Sequence, residues 1–275
     1  MKPKKHLGQN FLQDVNIARE IADALDLRAG ETVVEIGPGH GELTRELGIG
    51  NKELRILAIE KDERLADWLN SELVKWKLNG GNIRIVRGDA LKELPKVVSQ
   101  LTNRPIRYKL VGNIPYYITG HLLRILSELN PKPEKIVLMV QKEVAERLCA
   151  APPGMNLLAA SVQFWSKPAI IAEINRKNFH PAPKVDSAII EIVPLPKGPM
   201  KPDVFYPFIA ALFKQPRKTI LNNLYAGVDY GHAKTGETAN KEVLAKKIGG
   251  LGIDPATRPQ DLSLADIVSL ARRLK

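Results

Sequence analysis

Short runs of branched apolar residues recur along the first two thirds of the chain, at Thr32 to Ile36, Arg55 to Ile59, Ile83 to Val86, Lys109 to Val111 and Ile136 to Val140. Between them the apolar positions repeat at three- and four-residue spacing. The runs are too short for helices and read as strands, and the segments between them read as helices. Strands alternating with helices predict a mainly parallel sheet, because parallel neighbours need a crossover long enough for a helix. Ala169 to Ile174 and Ser187 to Val193 are strand-like with no helical pattern between them, which predicts a C-terminal antiparallel hairpin. The stretch Pro194-Leu195-Pro196-Lys197-Gly198-Pro199-Met200-Lys201-Pro202 interrupts all periodicity and reads as a linker. It divides the chain into domains spanning 1–195 and 196–275. Beyond it Val204 to Leu224, Lys241 to Ile248 and Leu262 to Leu274 have helical spacing, and Ser263 to Asp266 fits a capping box opening the last helix. The expected fold is α/β: a Rossmann-like domain followed by a small helical one.

Composition changes this picture little. The chain has 275 residues, 44% of them hydrophobic and 26% charged, the balance of a globular protein of about two domains. Its apolar stretches fall far short of the roughly 20 residues a bilayer requires. The basic start lacks a signal-peptide core, so a cytoplasmic protein with no membrane span is expected. One cysteine, Cys149, excludes an internal disulfide and a multi-cysteine metal site, and it lies in a helix-like segment where a pyrimidine-methylating nucleophile would not sit. His6 and His180 have no second ligand at suitable spacing, so no metal is expected. A monomer is the expected state. Charge says more. The net charge is +11, and residues 196–275 contribute 13 basic against 7 acidic side chains, more than twice the basic excess per residue of the rest. A polyanionic partner fits that distribution, as would a merely solvated surface.

The chemistry clusters at the ends of the predicted strands. Glu35-Ile36-Gly37-Pro38-Gly39-His40-Gly41 follows the first strand and leads into the helix-like Glu42 to Leu47. Glycines there let a backbone approach a ligand closely. Glu60 ends the second strand, where a carboxylate accepts hydrogen bonds from ribose hydroxyls. Asp89 follows the third strand and Asn113 the fourth. Ile36, Glu60, Asp89 and Asn113 are separated by 24, 29 and 24 residues, about one βα unit each, so they should line one crevice. A nicotinamide dinucleotide is disfavoured on two counts. The glycines are spaced Gly-x-Gly-x-Gly rather than Gly-x-Gly-x-x-Gly, and Glu35 would oppose a pyrophosphate. It suits the sulfonium and ammonium of S-adenosylmethionine.

Asn113-Ile114-Pro115-Tyr116 is the most informative tetrapeptide. An adenine N6 amine is a poor nucleophile because its lone pair is delocalised into the ring. The Asn113 side-chain oxygen and the Ile114 carbonyl could each accept one N–H, directing the lone pair at a methyl group. Pro115 would stiffen the turn and Tyr116 would stack on the base. The same four residues could also form a plain β-turn with an aromatic plug. On the transfer reading, no essential group is expected to titrate near neutrality.

At these residues the sequence resembles the ribosomal RNA adenine dimethyltransferase family, and within it the small-subunit dimethyladenosine transferases. The likeness runs through Lys5 to Leu12, Glu35 to Gly41, Glu60 to Asp62, Gly88 to Ala90, Asn113 to Tyr116, Val140 to Ala145 and Asn178 to Ser187. The resemblance implies a class I S-adenosylmethionine-dependent methyltransferase domain. In it Asn10 and Leu12 would close over the cofactor, Gly37 would contact its methionine part, Glu60 its ribose and Asp89 its adenine. Gly39, Lys61 and Ala90 complete the implied cofactor set, and Asn113 would face both cofactor and target amine. Phe179, in the loop after the sixth strand, would cover the base on the face opposite Tyr116. The resemblance further implies transfer of two methyl groups to each of two adjacent adenines in a hairpin loop near the 3′ end of 16S rRNA, in the small ribosomal subunit or its precursor. Gln215-Pro216-Arg217-Lys218 resembles the family's RNA-facing segment, with Arg217 and Lys218 on phosphates. Where the family often has a Tyr-Gly pair, this chain reads Pro152 to Leu158, so RNA contacts there do not carry over. The alternatives are a macrolide-resistance methyltransferase acting on large-subunit rRNA, and a ribosome-assembly factor whose binding outweighs its catalysis. The same residues would serve each.

Overall fold

The computed structural model describes residues 1–4, 7–49, 53–78, 80–101, 107–227 and 240–274; Lys5 and His6 lie outside the described residues. The chain divides into two compact units, Met1–Ala145 with Pro168–Pro194, and Glu146–Lys167 with Leu195–Lys275.

The first unit is built on a seven-stranded sheet, with a second sheet of two strands. Its elements are β1 (Phe11–Leu12), α1 (Val15–Ala24), β2 (Thr32–Ile36), α2 (Glu42–Gly48), β3 (Arg55–Glu60), α3 (Glu63–Lys75), β4 (Ile83–Arg87), α4 (Ala90–Leu101), β5 (Tyr108–Asn113), α5 (Thr119–Glu128) and β6 (Lys135–Gln141), from which α6 (Lys142–Leu148) leads toward the other unit. After α7 (Leu157–Gln163) come β7 (Ser166–Ile174), β8 (Phe179–His180) and β9 (Ser187–Pro194). The strand order is β4-β3-β2-β5-β6-β9-β7. The pairs from β4 to β6 are parallel, and β9 runs antiparallel to β6. The order of connection reverses between β2 and β5, so the crevice at their carboxyl ends is the natural ligand site of such a sheet.

Local chemistry sets the element ends. Asp14 caps α1 and Asp62 caps α3, each accepting a main-chain N–H two residues on. Gly41 opens α2 at φ +81°, and a Cβ there would lie 2.5 Å from Leu69 Cδ1, so the turn cannot carry a side chain. Residues of α1 and α2 pack with inward residues of β2, β3, β5, β6 and β9 in one core cluster, which also takes in Leu12 and Phe179. At the amino ends of the strands, buried Lys109 pairs with Glu31 at 2.8 Å.

Two features depart from the sequence reading. Phe179 lies on β8, not in a loop, because β8 pairs antiparallel with β1 in a separate two-stranded sheet, Leu12 opposite Phe179. The helical pattern from Val204 to Leu224 is broken into α8 (Pro202–Leu212) and α9 (Ile220–Ala226). Asn223 causes the break. Its Oδ1 accepts from Gln215 N at 2.9 Å and its Nδ2 donates to Gln215 O at 3.0 Å, while Thr219 caps α9. The second unit continues with α10 (Lys241–Gly249) and α11 (Leu264–Arg273), which opens on the expected Ser263–Asp266 capping box. Its core includes Phe164 stacked on Phe205 at 4.0 Å. No helix among the described residues is long and apolar enough to cross a membrane.

Candidate active site

A cavity opens at the carboxyl ends of β2 and β5, lined by the glycine turn, the ends of β3 and β5, and residues 7–12. It brings together Asn10, Leu12, Gly37, Gly39, Glu60, Lys61, Asp89, Ala90, Asn113, Ile114, Pro115 and Tyr116. Phe179 is not among the lining residues; it is buried in the core behind β1. Arg217 and Lys218 belong to the second unit, exposed on the turn that Asn223 clamps.

Four carboxylates line this cavity beside apolar Leu12, Ile36, Ile59, Leu65 and Ile114. Glu35 is fully buried and accepts a hydrogen bond from Thr44 Oγ1 at 2.7 Å. Burial pushes its carboxyl up to about 8 against that hydrogen bond, with neighbouring Glu42 and Glu60 adding to the rise. Burial likewise pushes Glu42 up to about 7. Burial thus holds both acids above the usual carboxylate range, Glu35 fully enclosed and Glu42 half-buried.

Glu60 is shaped for a different task. Its Oε2 accepts from Gly39 N at 3.1 Å and its Oε1 from Asp62 N at 2.8 Å, tying the glycine turn to the end of β3. Burial raises its pKa despite those bonds. Each oxygen keeps a further lone pair for a ligand hydroxyl. Asp89 caps α4 through Leu91 N at 3.0 Å and pairs with Lys61 Nζ at 2.7 Å. Burial acts to raise the Asp89 carboxyl, but Lys61 and the Leu91 N–H outweigh it and bring it below its ordinary value.

The segment of residues 7–12 is fastened on both sides. Lys4 Nζ reaches Asp62 at 3.0 Å and Gln9 Nε2 reaches it at 3.4 Å, while the Arg64 guanidinium, also on Asp62, holds that carboxyl far below the usual range. Phe11 packs against His40 of the glycine turn, ring centroids 4.0 Å apart. The Asn10 main-chain carbonyl accepts from Asn113 Nδ2 at 3.1 Å. A carbonyl can only accept, so this contact fixes the Asn113 amide with Oδ1 turned away from Asn10. Tyr116 is held by its hydroxyl, 2.8 Å from Ser187 Oγ, with Ser187 wholly buried at the start of β9.

Sequence reasoning missed the Asp62 latch, Phe11, Ser187 and Tyr117, all supplied by contacts between distant segments or by exposure. Phe11, Asp62 and Ser187 fall inside the motifs that carry the family resemblance, and Tyr117 stands beside Asn113 to Tyr116, so the motifs pointed to their neighbourhood without giving their contacts. Among the described residues no group of three or more His, Cys, Asp and Glu is placed to hold a metal ion.

The model of the family described as ribosomal RNA adenine dimethylase matches residues 1–251. A protein of Dehalococcoides mccartyi (strain CBDB1) named ribosomal RNA small subunit methyltransferase A is 37% identical over 270 residues, covering 97% of this chain and 86% of its own length. One of the same name from Moorella thermoacetica is 37% identical, covering 99% of this chain and 93% of its own length. Among solved structures, a dimethyladenosine transferase from Plasmodium falciparum superposes with a TM-score of 0.76 at 25% identity, over 94% of this chain and 95% of the other.

Proposed function

This chain belongs to the ribosomal RNA adenine dimethylase family, and from that premise we propose that it transfers methyl groups from S-adenosylmethionine to adenine N6 in 16S rRNA, as a soluble cytoplasmic enzyme acting on the small ribosomal subunit or its precursor. The finer target is two adjacent adenines in a hairpin loop near the 3′ end, each dimethylated. The first unit is the catalytic unit and the second presents RNA-binding side chains, Arg217 and Lys218 among them.

The cavity's donor set fits the cofactor. Four carboxylates suit a ligand with two cationic centres, Glu60 has lone pairs for the ribose hydroxyls, and the apolar walls suit adenine. Gly37, Gly39, Ala90, Asn10 and Leu12 would enclose it, with Lys61 holding Asp89 in place. When bound, S-adenosylmethionine supplies an electrophilic methyl group.

The observation that carries the reading is the fixed Asn113 amide. With its Nδ2 committed to the Asn10 carbonyl at 3.1 Å, Oδ1 is free to accept one N–H of the target amine. The Ile114 carbonyl accepts the other. Two acceptors on one nitrogen favour a pyramidal amine with its lone pair free of the ring, an interaction that strengthens as the methyl bond forms. Pro115 stiffens the turn, and Tyr116 offers its ring to the base at about 1–3 kcal/mol of stacking. Phe179 would cover the opposite face, which requires β8 to release its ring from the core when RNA binds. A base in a loop is already partly unstacked, which lowers the cost of bringing it in.

The test is to incubate the protein with labelled S-adenosylmethionine and unmodified small subunits and map the label. Two neighbouring N6,N6-dimethyladenosines near the 3′ end of 16S rRNA are expected. Label on large-subunit rRNA instead, or on no RNA, would overturn the proposal.

A further inference from the structure

Tyr116 and Tyr117 share one turn of 3₁₀ helix, yet the fold treats them oppositely. The Tyr116 hydroxyl is tied to Ser187 and its ring is half-buried. Tyr117 is 59% exposed, more than any other exposed aromatic among the described residues, and it lines the mouth of the same cavity.

One edge of the Tyr117 ring is backed by Gly8. That residue sits at φ +61°, and a Cβ there would come within 3.2 Å of Tyr117 Cδ1. The main chain of the N-terminal segment thus lies close against the ring, supporting it from one side and leaving the rest to solvent. Lys61 and Asn10 line the same cavity, the partly exposed Lys61 ammonium resting on Asp89 at 2.7 Å. An exposed aromatic ring of this size leaves apolar area in water that any flat partner would recover. Single-stranded nucleic acid is read by such pairings of aromatic ring and basic side chain along a strand.

We infer that Tyr117 is a stacking platform for the base next to the target adenine. The inference rests on the proposed function, since a strand that delivers one base to Asn113 and Tyr116 must lead its neighbour across the cavity mouth. The occupant is a nucleobase of the substrate RNA, because the ring continues the wall that takes the target base. Stacking at such a position shifts binding by about fivefold to a hundredfold. The phenol hydroxyl is not needed; the ring face is.

The experiment is a binding cycle with an RNA hairpin containing the target adenine, in which each neighbouring nucleotide is replaced in turn by an abasic one. For the wild-type protein, one of the two replacements should weaken binding within that range. Tyr117→Ala should weaken binding of the intact hairpin by a similar factor and show no further loss with the abasic RNA, while Tyr117→Phe should match the wild type. Because the ring is mostly exposed, Tyr117→Ala should melt within a few degrees of the wild type, so a loss cannot come from unfolding. Full abasic sensitivity in Tyr117→Ala, no abasic sensitivity in the wild type, or Tyr117→Phe behaving as Tyr117→Ala, would overturn the inference. Methylation mapping on small subunits with the wild-type protein separates the two readings. Correct labelling with a failed cycle removes the platform alone, and a hairpin bound but never methylated in any context removes the proposed function.

Discussion

Replacing Glu35 with Gln tests how far burial controls the cavity. In the folded chain the Glu35 carboxyl is pushed up to about 8, against about 4.3 for an unperturbed glutamate. A carboxyl raised by folding gives stability that is fully present below its unfolded value and is lost as pH rises through its folded value. Integrating the linkage from pH 5 to pH 9 gives a loss of about 4 kcal/mol from this one group, or on the order of 10 °C in melting temperature for a chain of this size. Gln mimics the protonated acid, and its amide oxygen can still accept from Thr44 Oγ1, so the variant should lack this component. Thermal melts of both proteins across that range should therefore diverge in favour of Gln as pH rises. Cofactor binding should move the other way, because a cationic ligand favours the ionised carboxylate. The wild-type preference for S-adenosylmethionine over its neutral-sulfur product should widen as pH rises through about 8, and the Gln preference should stay flat. Parallel melting profiles would refute the reasoning, since they would mean that Glu35 ionises in the fold without cost.

Glu60→Ala should weaken cofactor affinity by about 1.5–3 kcal/mol in calorimetry, and it also leaves the Gly39 and Asp62 N–H groups without their acceptor; unchanged affinity would remove Glu60 from the site. Asn113→Ala should reduce methyl transfer by at least about a hundredfold with little change in melting, and retention of most activity would sink the two-acceptor mechanism. Phe179→Ala should cost about 3–5 kcal/mol of stability as a core truncation. Phe179→Leu keeps most of that packing, so a drop in transfer without a drop in melting temperature would identify stacking, and full activity would leave Phe179 a purely structural residue. Changing Arg217 and Lys218 together to Ala should flatten the slope of log RNA affinity against log salt by up to about two; an identical slope would route the RNA elsewhere.

The centre of the main sheet was legible because β2, β3 and β6 are near-continuous apolar runs whose burial needs no knowledge of their neighbours. The same local logic failed at Val204 to Leu224, where helical spacing persists across the break and Asn223, acting on Gln215, decides it. The two-residue strands β1 and β8 have no pattern to read, since each exists only through the other. In the site, the spacing of Glu60, Asp89 and Asn113 along βα units sufficed to place them in one crevice. The titration of Glu35 and the fixed orientation of Asn113 did not follow from spacing, because one depends on enclosure and the other on a main-chain carbonyl from the far end of the domain.

That last connection bears on the order in which the chain assembles. Leu12 and Phe179 pair although 167 positions separate them, and a contact that closes so long a loop is costly to form before the intervening chain is ordered. β1 takes its strand pairing from β8, which lies between β7 and β9 in the chain. Only with β1 docked are Leu12 and the Asn10 carbonyl in position over the cavity. Enclosure of the cavity by residues 10–12 thus depends on a segment 167 positions away, because β1 is a strand only as the partner of β8.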